Sequence, residues 1–118
     1  MTRIALAAAA AASLAFAAAA QASTPVVLKG EVGPGFTIEV KQGGKDVKSL
    51  KAGTYKLVVQ DKASIHNFHL IGPGLNKVVT SVPFIRTKTV TVTLKKGKYT
   101  YQCDPHASSG MKGTFKVL

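Results

Sequence analysis

The chain has 118 residues, enough for one domain, and carries 16 basic against 5 acidic side chains and a single cysteine. That inventory excludes an intrachain disulfide framework, and five scattered acids do not form a paired-carboxylate catalytic centre. The basic excess does not point to nucleic acid: there is no arginine cluster and no series of aromatics on which bases would stack.

The first element in chain order is "MTRIALAAAAAASLAFAAAAQAS". One arginine precedes an Ala/Leu/Phe run, and Ala20-Gln21-Ala22 supplies the small residues of an A-x-A cleavage site. The segment reads as a secretory signal peptide, residues 1–22, with cleavage before Ser23. The run from Ile4 to Ala20 is rich in weakly apolar alanine and lies at the short limit for a membrane anchor. A twin arginine is absent, which favours the general secretory route, and no cysteine near the cut would take a lipid. The exported protein, periplasmic or secreted, would then be residues 23–118 with a net charge of +10, since Arg3 leaves with the signal.

The remaining sequence reads as short strands and turns. "VVLKGEV" is followed by a Gly-Pro-Gly break at 33–35. "FTIEVKQ" alternates apolar and polar until Gly43-Gly44, and "TYKLVVQD" places Tyr55, Leu57 and Val59 on one face. "SIHNFHLIG" is expected as a strand over 64–72, running into a second Gly-Pro-Gly turn. Residues 75–86, with Pro83 inside, read as a longer loop with one edge strand. "KTVTVTL" alternates, a turn around Gly97 leads into "YTYQC", and "GTFKVL" closes the chain. Period-two alternation with turn signals every eight to twelve residues indicates an all-β single domain, a sandwich or barrel.

Chemistry concentrates in few residues. Beyond the signal the soft ligands are one Cys, three His and one Met, in two groups: His66/His69 and Cys103/His106/Met111. A cysteine ends a strand, and a compact loop with Pro105 and Gly110 brings a His and a Met back around it. One histidine from the distant strand completes a His₂Cys set with a weak thioether, the ligand set of blue copper. Either His66 or His69 satisfies that count, and three apart on one strand they face opposite sides. A lone thiolate with a methionine suits zinc poorly, and a two-copper centre would need a second cysteine. Read as a catalytic thiol–imidazole pair, Cys103 and His106 lack an orienting partner.

"YTYQCDPHASSGMKGTFKV" resembles the C-terminal signature of plastocyanin-type cupredoxins, Y-x-C-x-P-H followed by G-M and a last strand. "IHNFHL" is similar to the family's earlier His-Asn element, and "SLKAGTYKLVVQD" to the strand before it. The resemblance implies a Greek-key β-sandwich holding one type 1 copper at one end and shuttling single electrons. It implies His66, Cys103, His106 and Met111 as metal ligands, with Asn67 and Pro105 supporting them. His69 would then be an ordinary partly buried or surface residue, and Tyr99 and Tyr101 core packing. The expected role is an exported, monomeric electron carrier between redox proteins, not an enzyme. The alternative is a copper delivery or resistance module without redox cycling.

One departure bears on the partner. Plant plastocyanins carry a surface tyrosine before the cysteine, within an acidic docking region; here Gln102 stands there and the chain is basic. An acidic redox partner is therefore expected, meeting either the lysine-rich surface or an apolar rim near His106 formed by Pro34, Ile65, Pro73 and Pro105.

Overall fold

The computed structural model describes residues 24–118; the expected signal peptide lies outside the described residues. Ten strands follow one another: β1 Val26–Val32, β2 Ile38–Gln42, β3 Lys45–Asp46, β4 Ser49–Leu50, β5 Gly53–Asp61, β6 Phe68–Gly72, β7 Leu75–Thr80, β8 Thr87–Leu94, β9 Gly97–Gln102 and β10 Lys112–Val117. One 3-10 helix, Asp104–Ser109, separates β9 from β10.

The strands form two five-stranded sheets, ordered β3-β2-β1-β5-β8 and β4-β10-β9-β6-β7. Most neighbours are antiparallel, but β1 pairs parallel with β5 and β4 with β10. Parallel pairing requires the chain to leave and return from the same side. It does so by crossing from the first sheet to the second between β3 and β4.

Alternation decides which side chains meet between the sheets. Leu28, Val40, Leu57, Val59, Val92 and Leu94 face inward from one sheet; Phe68, Leu70, Val79, Tyr99 and Phe115 face them from the other. Each such side chain, fully buried, contributes about 1.5–3 kcal/mol. Tyr99 and Tyr101 are core packing, as expected, stacked with Phe115, and Tyr101 also lies flat against Phe68.

Three glycines make this packing possible. Gly72, at the end of β6, lies beneath the Tyr99 ring and Gly113 pairs with Tyr101, so an added Cβ at either would collide with the tyrosine side chain. At Gly30 a Cβ would lie 3.0 Å from the Phe68 ring arriving from the opposite sheet.

Two expectations need correction. The strand expected over 64–72 begins only at Phe68; residues 64–67 form a turn and loop. The Asn67 side chain is drawn to Asp104, in the neighbouring ligand loop, which holds the chain off the sheet ladder. A register shift in the β6–β7 pairing between Phe68 and His69 marks where pairing starts. Pro73 is not on the rim near His106: the turn joining β6 to β7 is at the opposite end, where Tyr99 Oη donates to the Pro73 carbonyl at 2.8 Å.

Candidate metal centre

The loop after β9 is closed at its neck. Cys103 N–H donates to the Met111 carbonyl at 3.0 Å, and Met111 N–H returns to the His106 carbonyl at 3.2 Å. Inside the neck the 3-10 helix starts with Asp104-Pro105, and His106 N–H donates to the Cys103 carbonyl. Gly110 ends the helix at φ 95°, a left-handed conformation that a side chain resists. The short loop thus sets Cys103 and Met111 side by side and brings His106 over the same point. Cys103 is fully buried and Met111 is 3% exposed.

His66 arrives from the loop before β6. It is fully buried, with Cδ2 against Gly33, where a Cβ would come within 3.1 Å. Its Nδ1 lies 3.1 Å from His106 Nδ1 and 3.6 Å from Cys103 Sγ, and His106 Nδ1 lies 3.4 Å from the same sulfur. His66 Nε2 is buried without a hydrogen-bond partner, so Nδ1 is the nitrogen presented to the cluster. These are the histidines and the cysteine expected from the sequence, and His69 is not with them.

The donor triangle fits one metal ion. A point equidistant from corners with those separations lies about 2 Å from each, the length of a metal–imidazole bond. A single thiolate with two imidazoles and a thioether nearby is the donor chemistry of type 1 copper.

A second network surrounds the triangle; the resemblance implies the supporting role of Asn67 in it, but not its partners Asp104, Gln102, His69 and Asn76. Asp104 N–H donates to Asn67 Oδ1 at 2.7 Å, and Asn67 Nδ2 donates to Asp104 Oδ2 at 2.9 Å, tying the two ligand loops together. The same carboxylate accepts from Gln102 at 2.8 Å and from His69 Nδ1 at 2.9 Å, while His69 Nε2 donates to Asn76. Burial works against the Asp104 charge, but the hydrogen bonds from Gln102, His69 and Asn67 hold its carboxyl below the ordinary range. Burial likewise opposes charge on His69, but Asn76 and Asp104 prevail and raise its pKa. A carboxylate faces Nδ1 and an amide oxygen faces Nε2, an arrangement that favours the protonated ring of His69. Asp104 directly follows the cysteine and is one of only five acids, the one signal the sequence offered for its own part in the network.

Phe36 was also missed. Its ring is 67% exposed, yet it stands edge-on to His66 at 5.4 Å and to His106 at 4.8 Å. Nothing in the alternation of "FTIEV" separates it from a strand residue. The Gly-Pro-Gly break places it over the ligands. Pro34, Ile65 and Pro105 are exposed in the loops of this end, as expected for an apolar rim.

Residues 26–118 match the family model described as "Copper binding proteins, plastocyanin/azurin family". The chain belongs to that family. The cupredoxin fold recurs in solved structures. Rusticyanin, described as a copper protein, superposes with a TM-score of 0.60 at 23% identity, over 80% of this chain and 78% of its own. Rusticyanin from Thiobacillus ferrooxidans in another structure gives 0.54 and 24% over 80% and 77%. Auracyanin A, a "blue" copper protein from the green thermophilic photosynthetic bacterium Chloroflexus aurantiacus, gives 0.53 and 19% over 80% and 100%. No curated protein sequence matches significantly. The metal of this cupredoxin is copper, in a type 1 site. No described helix is long and apolar enough to cross a membrane.

Proposed function

We propose that this cupredoxin is an exported, monomeric carrier of single electrons between redox proteins, and not an enzyme. His66 Nδ1, Cys103 Sγ and His106 Nδ1 hold the copper, with Met111 as the weak fourth ligand. Copper bound there supplies a one-electron couple. The observation that carries the reading is the donor triangle of two imidazoles and one thiolate, closed and buried on all corners but one.

The residues divide the work. Cys103 and His66 keep water from the thiolate side, because neither has exposed surface. His106 is the partly exposed ligand, and its ring reaches the surface beneath Phe36. The apolar rim of Phe36, Pro34, Ile65 and Pro105 gives a partner protein a surface that desolvates readily around that ring. Asn67, tied to Asp104, fixes the distance between the two ligand loops, so little moves when charge arrives. A delivery module would instead offer its ligands for exchange, and two fully buried ligands favour retention.

Adding Cu(II) to the purified protein and recording the visible spectrum tests the site. An intense thiolate band is expected, abolished by Cys103→Ser and His66→Ala and kept by His69→Ala. Loss with His69→Ala and survival with His66→Ala would overturn the ligand assignment. A band that cannot be cycled with reductant and oxidant would leave the delivery reading in place.

A further inference from the structure

The charge of this protein is not spread evenly along the strands. At the copper end, the last two residues of each strand and the loops between them hold four basic side chains, Lys62, Arg86, Lys88 and Lys112. They also hold four acidic ones, Glu31, Glu39, Asp61 and Asp104. The far end, counted the same way, is lysine-rich. The β2–β3 hairpin carries Lys41 and Lys45, and the crossing segments on either side of β4 carry Lys48 and Lys51. Lys95, Lys96 and Lys98 surround the β8–β9 turn, and Lys116 lies on β10 beside Lys98. Against these eight lysines the far end has one acidic side chain, Asp46.

Those lysines cannot guide an acidic partner onto His106, because they attract it to the wrong end. The expected match of an acidic partner to the copper-end rim therefore loses its electrostatic basis, and the lysines need another counterpart. They come from both sheets and divide between two shallow concavities, one lined by Lys41, Lys45 and Lys48 and one by Lys96, Lys98 and Lys116, instead of converging on one cleft. Exposed apolar side chains stand among and beside them: Leu118 is 70% exposed, Val27 48% and Val26 45%. All eight are lysines, point charges suited to diffuse anionic surfaces, and no arginine forks are present for shaped carboxylate recognition. Point charges spread over one end, with a few insertable apolar side chains among them, match a plane of anionic headgroups.

We infer that the lysine-rich end opposite the copper site is a docking surface for anionic lipid bilayers, which tethers the protein with His106 facing away from the membrane. A carrier held this way moves along the membrane surface while its exchange site stays open to partners. The binding surface itself does not depend on copper, so its test is independent of the electron-transfer reading.

The test is co-sedimentation with vesicles of pure phosphatidylcholine and of phosphatidylcholine containing 30% phosphatidylglycerol, with free polyglutamate as a competing polyanion. Binding is expected to the anionic vesicles only and is lost at high salt. It should weaken about fivefold for each lysine removed in the series Lys45→Gln, Lys48→Gln, Lys95→Gln and Lys96→Gln. Lys62→Gln with Lys112→Gln, at the copper end, should change it less than twofold. Equal loss from both sets would overturn the inference by showing that only net charge matters. So would equal binding to neutral vesicles, or no binding to either. Lysine-dependent capture of polyglutamate without vesicle binding would assign the surface to an acidic protein instead.

Discussion

Where β1 finishes and β6 begins, the connecting loops bury a thiolate and an imidazole, balance their charges and leave an aromatic ring on top. Where the same strands have their other ends, the loops are glycine turns crowded with lysines, and the largest exposed apolar side chain is the C-terminal leucine. The scaffold is shared, so the difference resides in the loops. Loops at one end are tied across to each other by Asn67 and Asp104. Those at the other end are short connections, hairpin turns at β2–β3 and β6–β7 and crossings between the sheets at β3–β4, β4–β5 and β8–β9. A site needs convergence from distant parts of the chain; a docking plane needs only exposure.

The largest expected effect separates the ends outright. Cys103→Ser should abolish the visible copper band. The fourfold lysine variant of the far end should leave its position and intensity unchanged; a shifted band would show that the ends are electronically coupled.

Next come the glycines under the tyrosines, one device used toward both ends. Gly72→Ala beneath Tyr99 and Gly113→Ala beneath Tyr101 should each lower unfolding free energy by about 1–3 kcal/mol in denaturant titration, because the ring must leave its place. Only Gly113→Ala, two residues from Met111, should also alter the copper spectrum.

Asp61 tests what the copper end tolerates in its interior. Its carboxyl is 2% exposed, one oxygen has no hydrogen-bond partner, and burial raises its pKa, against Thr80 and the Ala63 N–H. A carboxyl with a raised folded-state pKa favours folding most below the unfolded value near pH 3.9, and that stability is lost as pH rises through the folded value. Asp61→Asn should therefore stabilise the protein by on the order of 1 kcal/mol at pH 7. The gain should vanish below about pH 4; a gain independent of pH would mean that the charge is not its origin.

Phe36→Ala removes two edge-on ring contacts of about 0.5–1.5 kcal/mol each at most. Copper should pass to a chelator faster than from wild type, while Leu118→Ala at the far end should leave that rate alone.

The smallest effect belongs to His69. Its raised pKa stabilises the fold below about pH 6.5 and fades as pH rises through the folded value, whereas the lowered pKa of Asp104 stabilises it above about pH 3.9. His69→Ala should cost about 0.5 kcal/mol, after allowance for the exposed carboxylate, and most of it between those limits. A flat pH profile would remove the pair from the account of how the ligand loops are held.

Legibility differed between strands and loops for a physical reason. Val26–Val32 and Thr54–Asp61 were readable because every second side chain must enter the core. Asn67 broke the pattern at 64–67, since a side-chain hydrogen bond to a residue 37 positions away has no local signature. Phe36 likewise looked like one more strand residue, and Pro73 looked equivalent to Pro34. Only the direction of each strand shows that the two Gly-Pro-Gly turns stand at opposite ends.

By itself the sequence determined the donor set and the spacing that closes it, because Cys103, His106 and Met111 lie within nine residues and a short loop has few ways to fold. It also determined the alternating faces of the sandwich, which follow from a period of two. Residue count alone left His66 and His69 open and the family resemblance favoured His66; tertiary structure brings His66 and not His69 to the triangle, since the β6 strand starts after one and includes the other. It decided, too, that the lysines gather away from the copper, because charge at a given end depends on strand direction and sheet order, which no local pattern records.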